Sequence, residues 1–112
     1  MKRVIVIVAA GLALGLPAAT RASDNPENDT FMAYTPAQRL TFLGLAVGCK
    51  ANETFFRGLS KKPGPTMNHA YWAIRCTDGR TFQLDLAPDK QGFAQQCNAL
   101  PAGDDCFKPI KE

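Results

Sequence analysis

Apolar and polar residues follow different periods along this chain, and each change of period marks an expected element. Val4 to Leu16 is an uncharged apolar run of 13 residues. Residues 23–30 (SDNPENDT) contain no apolar residue. Residues 23–34 are therefore expected to form a flexible leader, with Phe31, Met32 and Tyr34 packing onto the start of the domain. From Thr35 the pattern becomes helical: Leu40, Leu43 and Val47 recur at i, i+3 and i+7, and Phe42, Leu45 and Ala46 broaden the apolar side. Thr35 can cap, Pro36 suits the first helical position, and Gln38 can close a capping box. Gly48 offers a left-handed stop, so a helix is expected over about 36–48. Gly44 inside it should cost about 1 kcal/mol in helix propensity.

Beyond the helix the period shortens to two. Asn52 to Leu59 is a β-prone run ended by Ser60 to Pro65 (SKKPGP). Tyr71 to Cys76 and Arg80 to Leu86 read as paired strands, with Trp72, Ile74 and Cys76 alternating on one and Phe82, Leu84 and Leu86 on the other. A two-residue Asp78-Gly79 turn would put these two apolar rows on opposite faces. A three-residue loop with Gly79 in the left-handed position sets Ile74 opposite Phe82 and Trp72 opposite Leu84, which unites them, and is the expected register. Residues 93–100 fit a helix through Phe93, Cys97 and Leu100, or a strand through Phe93, Gln95 and Cys97. The ending around Cys106 reads as a loop held by its cysteine. The expected fold class is α+β: one N-terminal helix packed on a three- to four-stranded antiparallel sheet, with two disulfides.

The apolar run near the start has a second consequence. It is preceded by Lys2 and Arg3, ended by Pro17 and followed by small residues, with Thr20-Arg21-Ala22 before Ser23. At 13 residues it falls short of the about 20 that a membrane-spanning helix needs. Residues 1–22 therefore read as a signal peptide cleaved after Ala22, or alternatively after Ala19, and the protein as exported, periplasmic or secreted. Residues 35–112 are then a single disulfide-stapled domain with no membrane span after cleavage. Of 13 Lys+Arg against 10 Asp+Glu, Lys2, Arg3 and Arg21 leave with the signal, so the remainder is formally neutral. The basic balance of the whole chain is thus no argument for a nucleic-acid partner.

Export also changes the reading of the four cysteines. Their separations are 27, 21 and 9 residues, with no C-x-x-C pair. That spacing argues against a thioredoxin-like site, a zinc knuckle or haem attachment, and in an oxidising compartment two structural disulfides are expected. The favoured pairing is Cys49–Cys76 with Cys97–Cys106. The rivals are Cys49–Cys97 with Cys76–Cys106, and Cys49–Cys106 with Cys76–Cys97. No metal site is expected, because the sole histidine, His69, and the short acidic pair Asp104-Asp105 supply too few ligands. No cofactor is expected either.

Residues 69–88 (HAYWAIRCTDGRTFQLDLAP) resemble the corresponding segment of small exported domains of the PepSY type: an aromatic strand, a D-G turn, an apolar strand and a proline. The likeness is one of topology, in the order helix, strand, strand, D-G-R turn, strand; that order spans about half of the chain after the signal, and residues 69–88 carry most of it. The four cysteines and the region from Cys97 to Cys106 depart from the PepSY pattern. The resemblance implies a fold and a binding or inhibitory role, and no catalytic residue.

Candidate contacts are few. Trp72 shares the apolar row with Ile74 and is assigned to the core. Tyr71 and Arg75 point the other way, and Phe55 and Phe56, adjacent on one strand, must face opposite sides. Tyr71, Arg75 and Phe55 are therefore the candidate binding residues, while Lys61-Lys62 reads as a solvated loop tip. His69 lacks an adjacent nucleophile in sequence and reads as a loop histidine. The expected function is that of a non-enzymatic accessory or binding module of the envelope or periplasm, whose partner is an unknown protein or envelope component. The alternative is a small secreted hydrolase using His69 with Asp78 or Asp85.

Overall fold

The computed structural model describes residues 23–89, 92–100 and 106–111. The expected signal segment 1–22 and the pair Asp104-Asp105 lie outside the described residues. The fold is α+β: two helices and a four-stranded antiparallel sheet, joined by disulfides Cys49–Cys76 and Cys97–Cys106.

The leader is corrected by the structure. Pro26–Ala33 forms a helix, α1, rather than a flexible segment. The physical cause is capping and polar docking, which no apolar period announces. Asn25 accepts from the Asn28 backbone N–H, Pro26 opens the helix, and Glu27 and Asp29 sit in the first turn where the dipole favours them. Asn25 Nδ2 donates to the carbonyls of Asn68 (2.9 Å) and Leu86 (2.8 Å), and Trp72 Nε1 donates to Asn28 Oδ1 (2.7 Å). Phe31 packs on the core, Tyr34 meets Phe31 edge-on and lies tilted against Phe42, whereas Met32 is 48 % exposed.

Helix α2 (Pro36–Val47) has the expected capping box between Thr35 and Gln38 and ends at Gly48 with φ 81°. Gly44 has a reason to be there. A Cβ at this position would come within 2.6 Å of the Cys49 carbonyl oxygen, so the tight turn from helix to strand requires its absence. Strand β1 (Ala51–Leu59) follows and pairs with β2 (Ala70–Cys76), which pairs with β3 (Thr81–Leu86), which pairs with β4 (Phe93–Gln96). Ile74 lies opposite Phe82 and Trp72 opposite Leu84, as face matching requires. The Cys76 N–H donates to the Arg80 carbonyl, and Gly79 takes φ 93° in the three-residue loop. The ambiguous stretch 93–100 divides into β4 and a single 3₁₀ turn, Cys97–Ala99.

One face of the sheet forms the core, and the other is partly covered, leaving Phe93 (62 %) and the Arg75–Glu53 pair exposed. On the first, Leu43 of α2 packs with Ala70, Trp72, Ile74, Leu84 and Leu86. On the other, residues 106–111 reach Phe82, Arg75 and Arg57, and Ala73 is buried there together with two polar side chains, Arg57 (5 % exposed) and Gln83 (7 %). Arg57 Nε donates to the Lys108 carbonyl (2.9 Å) and Nη1 to Gln83 Oε1, while the Ile110 N–H donates to the Arg57 carbonyl (3.0 Å). The Cys97–Cys106 bridge ties this segment to the end of β4, and Cys49–Cys76 ties the α2–β1 turn to the end of β2. No helix among the described residues is long and apolar enough to cross a membrane.

Candidate functional site

Strand alternation places the three candidate binding residues, Tyr71, Arg75 and Phe55, on the sheet face opposite the helices. Arg75 is engaged within that face. Its Nε donates to Glu53 Oε1 (2.9 Å) and its guanidinium lies 4.6 Å from the Phe107 ring centre. Tyr71 stacks on His69 with ring centres 6.3 Å apart, and Phe55 is half-buried. The carboxyl-terminal segment crosses the same face. These residues share a face, on which Arg75 is engaged by its neighbours while its side chain stays 43 % exposed.

His69 gains a partner that the sequence does not reveal. Its Nδ1 lies 2.7 Å from Asp85 Oδ1, because Tyr71 pairs with Asp85 and His69 sits one step before β2. Asp78, the other acid considered with it, is at the far end of the hairpin. There the Arg80 backbone N–H, and then its guanidinium, hold the Asp78 carboxyl below its ordinary value. Lys61 bonds to Asp24 (2.9 Å) and Asn68 (3.2 Å), which turns one of the loop lysines to a structural use. Among the described residues, no cluster of three or more metal-ligating side chains occurs.

A different surface emerges on the helix side. Arg39 is the sole charged residue of α2, and it is turned inward. Its Nε donates to the Phe31 carbonyl (3.0 Å) and its Nη2 to those of Met32 (3.1 Å) and Tyr34 (2.9 Å), so it satisfies the open carbonyls at the end of α1. Its guanidinium also lies 5.4 Å from the Trp72 ring centre. The outward side of α2 is left without charge, and it exposes Phe42 (41 %) and Leu45 (70 %). Beside it a groove of about 440 Å³ opens between the helix (Ala37, Leu40, Thr41, Leu45) and the turn into β1 (Cys49, Lys50, Ala51).

The groove is not evident from the sequence, because Phe42 and Leu45 broaden the apolar side of α2 and so read with its core-facing stripe. The signal was present: Leu40, Leu43 and Val47 already fill one stripe, and Phe42 and Leu45 fall outside it. The chain matches no family model, no curated protein and no solved structure, so the meaning of the surface rests on its own chemistry.

Proposed function

We propose that this protein is an exported, non-enzymatic binding module of the envelope or periplasm, and that it recognises a protein partner through the outward side of α2. The observation that carries this reading is an uncharged helix face exposing Phe42 and Leu45, while the helix's one charge is spent internally. Phe42 and Leu45 are not isolated: they share one face of α2, and Leu45 lines the apolar groove beside it. The two disulfides are compatible with export. The resemblance of residues 69–88 to PepSY-type domains adds support for a binding or inhibitory role.

Photo-cross-linking in the exporting cell tests it. A benzophenone side chain at position 42 or 45 should give one discrete protein adduct, and the same group at exposed Asn98 should not. Adducts at all three positions alike, or at none, contradict the reading.

A second reading, a small secreted hydrolase, draws on the His69–Asp85 pair, which has the geometry of a base and its orienting acid. Among the described residues no side chain hydrogen-bonds the other ring nitrogen, so the nucleophile is missing from the constellation. Unchanged activity of His69→Ala, in any assay that detects hydrolysis, removes this reading.

A further inference from the structure

We infer that the α2–β1 groove takes an extended peptide segment of a partner protein, which adds to the free edge of β1, seats an apolar side chain beside Leu45 and places a carboxylate at Lys50. This rests on the reading of the protein as a binding module and specifies its ligand.

Three features select an extended peptide. The first is the edge itself. Among the described residues β1 has a sheet neighbour on one side only, and register shifts at Asn52 and Arg57 bracket a regular stretch, Glu53–Phe56. Half of an edge strand's backbone groups face away from the sheet. Among the described residues, no backbone group of Glu53–Phe56 is bonded outside the sheet, and Ile110 N–H reaches β1 only at the Arg57 carbonyl beside the bulge. A peptide strand would satisfy the outward-facing groups and turn alternate side chains toward the helix side, where the groove lies.

The second feature is charge. Lys50 is the single charged side chain lining the groove, and it has no ion-pair partner among the described residues. One cation in an otherwise uncharged groove suits one carboxylate, and is far from the clusters of basic residues that bind anionic lipid surfaces. Existing strand pairs are all antiparallel. A peptide added in that sense runs toward Ala51, so its carboxyl end arrives at Lys50.

The third is size. A 12-residue helix is about 18 Å long, and one face of it about 10 Å wide, so the exposed patch is of order 200 Å². A stable dimer commonly buries about 800 Å² per partner, which leaves this patch too small for a second copy of the chain. Main-chain pairing along an edge suits a small interface, because the hydrogen bonds are made by backbone already in place.

The test is selection of random octapeptides displayed with free carboxyl termini, using the full-length, disulfide-bonded exported protein as bait and its Leu45→Asp variant as the parallel control. Leu45 is largely exposed, so the fold should tolerate the change. Enriched peptides should carry apolar residues at alternate positions. Their synthetic forms should lose at least about tenfold in affinity for Leu45→Asp. Amidating the peptide carboxyl, or changing Lys50→Gln, should each cost about three- to fivefold, and the two changes together no more than either alone. Equal enrichment on Leu45→Asp, or amidation without effect, overturns the inference. So does a concentration-dependent dimer lost in Leu45→Asp, or binding of phosphatidylglycerol vesicles through the same face. Peptide failure with cross-links still formed at positions 42 and 45 would overturn the ligand assignment and leave the binding-module reading standing.

Discussion

Gly44 shows how a residue can be wrong for its element and right for the junction. Helix propensity alone predicts that Gly44→Ala stabilises α2 by about 1 kcal/mol. The 2.6 Å approach of the Cys49 carbonyl predicts the opposite, a loss of about 1–3 kcal/mol by chemical denaturation, as for other overpacked sites. Asn28 is a second such residue. Asn28→Ala removes the acceptor of the buried Trp72 N–H and should cost about 1–3 kcal/mol, with a shift in tryptophan emission. Asp78 titrates at the surface. A carboxyl whose folded value is lowered stabilises above its unfolded value and loses that contribution as pH falls through the folded one. An NMR titration should therefore place the Asp78 midpoint below 3.8, and Asp78→Asn should abolish that acid-range contribution.

Among the elements, legibility followed the source of each one's stability. The β2–β3 hairpin could be read to the residue because two apolar rows must share a face, and one loop length alone achieves it. Helix α2 was legible because capping signals and an apolar stripe coincide. Helix α1 was not, since it is docked by Asn25 and Asn28 through hydrogen bonds to residues more than 40 positions away. The carboxyl-terminal segment is a similar case. The sequence shows a loop held by a cysteine, but not that it bonds to the buried Arg57. Replacing Cys97 and Cys106 together by serine should cost about 2–4 kcal/mol. It should also speed hydrogen exchange at the Ile110 amide, which bonds to the Arg57 carbonyl. Unchanged exchange there would mean that the segment holds its place without the bridge.

For the whole molecule, the sheet has one face covered by helices and one partly covered by its own carboxyl-terminal segment, and the proposed binding surface lies on neither but on a helix exterior and an edge. The residues that alternation singles out, Tyr71, Arg75 and Phe55, lie on the partly covered second face. Alternation could say that they point away from the core, but not that residues 106–111 return to that face. The helix exterior was hidden for the converse reason: Arg39 looks like a solvated surface charge until its three carbonyl partners are seen. The most direct measurement is the affinity of the cross-linked partner for the native protein, for Leu45→Asp and for Arg75→Gln. The account predicts a loss of at least about tenfold for Leu45→Asp and less than about twofold for Arg75→Gln. A large loss for Arg75→Gln with Leu45→Asp unchanged would place recognition on the sheet's second face and contradict it.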